Sequence, residues 1–229
     1  MRVKVLSWNT WVDGHFDSFK ELISRENAEI VGLQEVREVD KTRDVVGFMT
    51  DLGYKNVFAP KQVWRAPYFL FGPALFSKFD IAWSATHTLS REDERYAVQG
   101  DLAVDKDTVL HVFSTHLTHT HQKPSKIQDQ QIDGLLKILP KERTILMGDF
   151  NATPDSAAIL LMSKVLQNTD PSNAPTWSTD PRGCPTCNPQ SVDTRLDYIF
   201  ASKDLKASEP RVVQSTASDH LPITAVIDL

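Results

Sequence analysis

The chain has little cysteine, no long apolar run and no excess of positive charge, and each shortage removes a class of protein. Lysine and arginine number 25 against 30 aspartates and glutamates, for a formal net charge of -5. That balance argues against a broad basic surface that holds duplex nucleic acid by neutralising phosphates, while leaving room for a local cationic groove. The opening MRVKVLSWNTW alternates as a strand does and lacks the continuous apolar stretch of a signal peptide or membrane helix, so a cytoplasmic protein with no membrane segment is expected. The two cysteines, Cys184 and Cys187 in GCPTCN, form a lone CxxC. A tetrahedral zinc site needs two further ligands, and a redox CxxC normally opens a helix, whereas this pair sits among prolines. The pair reads first as loop thiols, then as a zinc-stabilised interaction surface with His119 and His121 as conceivable partner ligands, and last as a redox pair. No linker, repeat or low-complexity tail interrupts the 229 residues, and 41% hydrophobic with 24% charged suits one domain over 1–229 around one sizeable core.

What the chain does have is an α/β rhythm. VKVLSW reads as a strand, residues 16–26 as a helix, EIVGLQ as a strand, and a second helix ends near Leu52 with Gly53 as its stop. PALFS, IAWSATHTL, YAVQGDLAV and VLHVFSTH follow with few helical residues between them, which predicts antiparallel neighbours and a mixed sheet. A helix over 124–139, carried by Ile127, Ile132, Leu135, Leu136 and Leu139, leads to the strand TILMG, and a short helix over 156–166 succeeds it. Residues 168–194 hold five prolines and little periodicity, so they read as a long loop. LDYIFAS, the region around RVVQ, and LPITAVIDL are the closing strands.

Polar residues recur where these strands end. VLSW ends at Asn9, IVGLQ at Glu35, HVFST at His116 and ILMG at Asp149; LDYIF begins with Asp197, and Ser218-Asp219-His220 precedes the last strand. Each has an ordinary structural reading. Asn9 and Asp219 suit turns, Glu35 could pair with Arg37 or Lys41, His116 could be a hydrogen-bonded strand end, and Asp197 could cap an amide beside Arg195. GDFNATPDS alone reads as a turn followed by a helix cap. Together, however, the strand mouths of a layered α/β protein converge on the edge where ligands commonly bind. The carboxylates Glu35, Asp149, Asp197 and Asp219 and the amides Asn9 and Asn151 are hard oxygen donors, suited to magnesium or manganese more than to zinc. One or two such ions could polarise a phosphoryl oxygen while a remaining carboxylate orients or deprotonates water, which is the chemistry of phosphate ester cleavage.

Read in order, LSWNTW, LQEV, PALFSKFDI, STHLTH, GDFNATPDS, LDYIF and SDHLPI resemble the endonuclease/exonuclease/phosphatase superfamily over essentially the whole chain. The resemblance implies a four-layer α/β sandwich, with two packed mixed β-sheets flanked by helices and a divalent metal at the edge where the motifs meet. It places Asn9 and Glu35 at the metal, with Asp219 a further metal-side ligand. Asp149 and Asn151 match the pair that orients or activates water, and Asp197 with His220 match a carboxylate and imidazole at the scissile phosphate. In one scheme Asp149 takes the proton and a protonated His220 steadies a phosphoryl oxygen; in the other His220 is the base, oriented by Asp197. His116 matches a histidine of the deoxyribonuclease-like, sphingomyelinase-like and deadenylase-like branches, and Arg95 falls where many members place a phosphate-binding arginine, a surface ion pair with Glu92 being the alternative. The sequence departs from the family in having Gly72-Pro73-Ala74 where Gly-Asn is common. It also has no acidic residue between Lys61 and Ser77, so the carboxylate that orients the histidine matching His116 has no counterpart.

Substrate choice is less constrained. KQVWRAPYFLFG offers Lys61, Trp64, Arg65 and Tyr68 to stack a base and contact a phosphate, or else Trp64, Phe69 and Phe71 are loop anchors. THTHQKPSK offers His119, His121, Lys123 and Lys126 as a phosphate rim or as the solvated lead-in to a helix. The expected function is a metal-dependent phosphoesterase, first a nuclease or phosphodiesterase with nucleic acid among its substrates. A phosphatase for a small phosphorylated metabolite or phospholipid headgroup is the alternative, and a non-catalytic binding protein on the same fold is a reading of another class. No obligate protein partner is evident.

Overall fold

The structure is a computed structural model that describes residues 1–38, 42–65 and 68–229. Contacts expected of Lys41 and of the Arg65 side chain lie outside the described residues. In chain order the elements are β1 (Arg2–Asn9), α1 (Phe16–Glu26), β2 (Ile30–Arg37), α2 (Val45–Asp51), β3 (Lys55–Phe58), β4 (Gln62–Arg65), β5 (Tyr68–Ser77), β6 (Asp80–Ser90), β7 (Arg95–Ala103), β8 (Val109–His116), α3 (Lys126–Ile138), β9 (Thr144–Asp149), α4 (Ala157–Val165), β10 (Gln167–Asn168), β11 (Asp197–Ala201), β12 (Lys206–Val212) and β13 (Ile223–Asp228).

The strands form two mixed sheets. The first runs β12-β13-β1-β2-β5-β3 with β4 also paired to β5, and the second runs β10-β11-β9-β8-β7-β6. Each is built on a central parallel pair, β1 with β2 and β8 with β9. Antiparallel strands flank both pairs: β13 and β5 in the first sheet, β7 and β11 in the second. One edge of the molecule therefore collects the carboxyl ends of the parallel strands and the amino ends of β7, β11 and β13.

The period-2 alternation of the strands sorts their side chains into layers. Val3, Val5, Ile30, Leu75, Val98, Val112, Ile145, Met147, Ile199 and Ile227 fill the space between the sheets. On the outer face of the first sheet, Leu6, Trp8, Val31 and Leu33 pack with Phe19, Leu22 and Ile23 of α1 and with Val45 and Met49 of α2. Against the second sheet, Phe113, Leu146, Tyr198 and Phe200 pack on Ile132 and Leu135 of α3 and on Ile159 and Met162 of α4. The result is the four-layer α/β sandwich. Asn27 ends α1 in the left-handed region at φ 49°, and Ser125 and Ser156 cap α3 and α4 by accepting from backbone amides. Gly32 makes room for the facing sheet: a Cβ there would come within 2.8 Å of the Met147 side chain.

Two expectations need correction. The short strands β3, β4 and β10 are not visible as periodic runs, because segments of two to four residues carry too little alternation to register. Helix α3 buries Gln128 and Gln131 as well as Ile132 and Leu135, whereas Ile127 is only half-buried. Gln128 is inside because its Nε2 donates to the carbonyls of Thr118, Phe150 and Asn151, tying the helix to the loops after β8 and β9. No helix among the described residues is long and apolar enough to cross a membrane.

Candidate active site

Alternation carries the polar residues into the mouth between the sheets. Val3 and Val5 face the inner core, so Asn9 at the end of β1 shares their side. Leu110 and Val112 set the same parity for His116, Ile145 and Met147 for Asp149, and Ile199 and Ala201 for Asp197. Strand β2 breaks the rule in a useful way. Its inward side runs through Ile30 and Gly32 to Gln34, whose Nε2 donates across to Ser114 Oγ at 3.1 Å. Pairing with β5 then slips between Leu33 and Val36, and Glu35 adopts φ 57°. This bulge inserts one residue and turns Glu35 into the cleft.

The groups converge on Asp149. Its Oδ2 accepts from Asn9 Nδ2 at 3.0 Å and lies 3.5 Å from His116 Nε2 and 3.6 Å from His220 Nε2. Asn9 Nδ2 also donates to Glu35 Oε1 at 3.1 Å, and Glu35 Oε2 accepts from the Val12 amide at 3.1 Å, so Glu35 is not committed to a surface ion pair with Arg37. Asn151 enters the left-handed region at φ 49°, a conformation asparagine tolerates, and its amide donates to Asp149 Oδ1 at 2.8 Å. On the far side of His220, Asp197 Oδ2 accepts a hydrogen bond from Nδ1–H at 2.8 Å and another from Thr176 Oγ1 at 2.6 Å. Asp219 Oδ2 accepts from Trp177 Nε1 at 3.3 Å. Gly183 is required beside it, because a Cβ there would fall 1.9 Å from Asp219 Oδ2.

The electrostatics follow from burial and from an excess of carboxylate. Burial pushes Asp149 up to about 7, with the Asp197 charge adding to it and the His220 charge opposing it. Burial, reinforced by Glu35, likewise pushes Asp219 up to about 6. Burial alone would strip the proton from His220, but Asp197, Asp149 and Asp219 outweigh it and hold the imidazole well above its ordinary range, hence protonated. His116 goes the other way: burial, then the charge of Arg95, keeps it well below that range and neutral. Asn151 Nδ2 donates to its Nε2 at 3.2 Å, which places the ring proton on Nδ1, and Nδ1 has no hydrogen-bond partner among the described residues. The missing carboxylate between Lys61 and Ser77 thus has its structural counterpart in an unpaired ring nitrogen.

Arg95 is half-buried rather than at the open surface, its side chain 15% exposed. Among the described residues its ion-pair contact is Asp93, 3.7 Å from Nε and too far for a hydrogen bond, and Nε and Nη1 have no hydrogen-bond partner there. This guanidinium lines the same cleft of about 160 Å³ as Asn9, Glu35, His116, Asp149, Asn151, Asp219 and His220. Asp197 stands behind His220 and does not line it. Trp64 reaches the cleft from the β4–β5 hairpin, stacked on Phe69. Tyr68 is not brought to the cleft: it is 71% exposed on that hairpin. Phe69 and Phe71 are buried anchors that pack with Val12.

Sequence reasoning gave no role to Thr176 or Trp177, which hold Asp197 and Asp219. Both sit in the aperiodic 168–194 loop, and the one available signal was an indole in a segment otherwise built of polar and turn residues. His119 is more than a rim residue, since its Nδ1 lies 2.8 Å from Asn151 Oδ1. Cys184 and Cys187 are not free thiols: a turn from Cys184 O to the Cys187 amide brings their Cα atoms to 5.3 Å, and the sulfurs are joined as a disulfide.

Comparison with solved structures finds this architecture repeatedly. An endonuclease/exonuclease/phosphatase from Beutenbergia cavernae DSM 12333 superimposes with a TM-score of 0.82 at 19% identity, over 100% of this chain and 72% of its own. A family protein from Leptotrichia buccalis C-1013-b gives 0.78 at 19% identity, over 99% and 100% of the two chains. ANGEL2, a 2',3'-cyclic phosphatase solved with adenosine-2',3'-vanadate, gives 0.75 at 16% identity, over 99% and 95%. No curated protein matches by sequence. The model of the Endonuclease/Exonuclease/phosphatase family matches residues 6–220, and the chain belongs to that family of metal-dependent phosphoester hydrolases.

Proposed function

We propose that this chain is a magnesium- or manganese-dependent phosphodiesterase acting on nucleotide or single-stranded nucleic-acid phosphates. The observation that carries the reading is Asp149, a buried carboxylate pushed up to about 7 in one cleft with a protonated His220 and with an Arg95 guanidinium only loosely paired to Asp93. A carboxylate in that state accepts a proton from water near neutral pH, and the two cationic groups beside it are suited to phosphoryl oxygens.

The residues also fit a hard divalent cation. Burial holds Asp149 and Asp219 above the usual carboxylate range, so a cation in the cavity would favour their ionised forms, and Glu35 adds a carboxylate at the half-exposed side with Asn9 buried beside it. Glu35, Asn9 and Asp219 would hold the ion. When bound it would polarise a phosphoryl oxygen and offset developing negative charge. The remaining work falls to the chain. Asp149 removes the water proton, and Asn151 fixes the carboxylate through its amide hydrogen bond. His220, oriented by Asp197 and Thr176, donates from Nε2 to the phosphoryl group. Arg95 takes a second phosphoryl oxygen, while His116, neutral and not braced by a carboxylate, contributes a positioning contact rather than a proton. These charge states favour the scheme in which Asp149, not His220, is the base.

The nucleotide preference rests on the indoles. Trp11, Trp64 and Trp177 line the cleft, and an adjoining hollow of about 460 Å³ lies between Trp11, Trp64 and Arg182. Base stacking on such faces tolerates sequence, and the overall charge of -5 disfavours long duplexes. ANGEL2 and its adenosine ligand are compatible with the same preference. The test is hydrolysis of single-stranded DNA, RNA, 2',3'-cyclic nucleotides, duplex DNA, inositol phosphates and sugar phosphates, with magnesium, manganese or chelator. Metal-dependent turnover of the nucleotide substrates, absent in Asp149→Ala, is expected. Turnover of only sugar or inositol phosphates would replace the substrate assignment, and turnover retained by Asp149→Ala would remove the mechanism.

A further inference from the structure

We propose that His119, His121, Cys184 and Cys187 form a second, thiolate-containing metal site, selective for zinc, when the cysteine pair is reduced. The ligand atoms of these four residues lie within 4.8 Å of one another. His119 Nε2 is 3.7 Å from Cys184 Sγ and 3.4 Å from Cys187 Sγ; His121 Nδ1 is 3.8 Å and 3.2 Å from the same atoms; the two nitrogens are 3.2 Å apart. A tetrahedral zinc with bonds of about 2.0 to 2.1 Å to nitrogen and about 2.3 Å to sulfur has edges of roughly 3.3 to 3.8 Å. Five of the six edges therefore match this geometry to within a few tenths of an ångström. The sixth, between the sulfurs, is closed by the disulfide.

Two further features point to a ligand. The Cys187 amide donates to Cys184 Sγ at 3.1 Å, an N–H to sulfur bond that favours a thiolate over a thiol. His119 is oriented from behind: its Nδ1–H donates to Asn151 Oδ1, leaving the Nε2 lone pair on the side of the sulfurs, as a metal-binding histidine is usually braced. Backbone conformation contributes as well, since His121 and Gln122 both adopt left-handed φ, of 52° and 56°, and the turn sets the two histidine rings perpendicular 4.6 Å apart.

The donor set is chemically unlike the oxygen-rich cleft. Two thiolates and two imidazoles suit zinc and discriminate against magnesium, so the two sites would not compete for one ion. Loading from the oxidised state needs a two-electron reductant such as a phosphine, which takes up oxygen from water as the disulfide becomes two thiols; each thiol then releases its proton on binding the metal. The bound ion would tie the loop after β8 to the 168–194 loop. That loop carries Thr176 and Trp177, so the site would brace one wall of the cleft.

The site is tested without reference to hydrolysis, so its failure and that of the phosphodiesterase reading are distinguishable. Phosphine-reduced wild type, cleared of reductant under argon and held in excess magnesium, is titrated with zinc and with cobalt(II), and bound metal is counted by atomic emission after gel filtration. One zinc per chain is expected, with a cobalt spectrum showing tetrahedral d–d bands and thiolate charge transfer. Oxidised wild type, which is the same folded chain, together with Cys187→Ser and His121→Ala, should bind roughly 100-fold more weakly or worse. Protection of the 168–194 loop from protease should rise with zinc in the reduced wild type only. Equal zinc binding by reduced and oxidised protein, cobalt without thiolate charge transfer, or wild-type stoichiometry in Cys187→Ser would overturn the proposal.

Discussion

The two sheets repeat one hydrogen-bonding plan, yet their mouths are built differently. In the second sheet β8, β9 and β11 deliver His116, Asp149 and Asp197 by uninterrupted alternation, and all three end up buried. In the first sheet β1 delivers Asn9 in the same manner, but Glu35 arrives only through the bulge in β2 and remains half-exposed. Burial lifts Asp149 in the second mouth, which on the proposed reading is where the water proton is taken. The bulge leaves the Glu35 carboxylate half-exposed in the first mouth, which on the same reading is where the cation is held. The two proposed roles, on one backbone plan, are separated by one inserted residue.

The strongest way to break this comparison is to neutralise one carboxylate from each mouth. Asp149→Asn keeps the size but replaces one acceptor oxygen with a donor and cannot accept the water proton, so kcat should fall by roughly 10²- to 10⁴-fold and no concentration of magnesium should restore it. Glu35→Gln should instead raise the magnesium needed for half-maximal rate by about tenfold or more, with kcat at saturating metal changed far less. Steady-state kinetics across a metal titration separate the two. If magnesium rescues Asp149→Asn, or fails to rescue Glu35→Gln, the division between the mouths is wrong.

A smaller effect lies in the pH dependence of stability without metal. Asp149 and Asp219 are raised in the folded chain, to about 7 and about 6, from an unfolded value near about 4. Between those limits the folded chain binds more protons than the unfolded one. Their stabilisation is complete below about pH 4 and is lost as pH rises toward 7. His220, also raised, adds a loss in the same direction above about 6.5. The salt-bridged Asp170 and Glu26, both lowered, act oppositely and only at the acid end. The metal-free melting temperature should therefore decline by several degrees from pH 5 to pH 8, Asp149→Asn should flatten that decline, and magnesium should stabilise most at the alkaline end. A melting temperature that rises with pH in chelator would contradict the burial of these carboxylates.

These distinctions also mark what can be read from the chain alone. Asn9, His116, Asp149 and Asp197 are legible because each terminates an apolar alternation, and GDFN and SDH carry enough local identity to suggest roles. The bulge at Glu35 is not legible, because LQEV reads equally well as a straight strand; it becomes visible only in the slipped pairing with β5. The pairing of Cys184 and Cys187 with His119 and His121 is open to the sequence only as one alternative, and the positions of Thr176 and Trp177 are invisible for another reason. They depend on where an aperiodic loop settles, and that is decided by tertiary contacts such as Trp177 with Asp219. Arg95 falls between the two cases: its place at the head of β7 follows from pattern, but its half-burial in the cleft, with Nε and Nη1 lacking a hydrogen-bond partner among the described residues, does not.

The smallest effect sharpens the comparison at its outer rim, where the hairpin of β4 and β5 extends the first sheet over the cleft. Two aromatic side chains on that hairpin look interchangeable in sequence and are not so in space. Trp64 is 40% exposed, stacked on Phe69 and part of the cleft wall, whereas Tyr68 is 71% exposed and outside it. One face of Trp64 is already taken by Phe69, so removing the indole should cost a stacked base about 1 kcal/mol, near the lower end for such contacts, and raise KM about fivefold on a nucleotide substrate with little change in kcat. Tyr68→Ala should leave both parameters within about twofold, as surface changes do. Equal losses in the two variants would mean that substrate spans the hairpin rather than entering between the sheets, and the first mouth would then be the side of a longer groove.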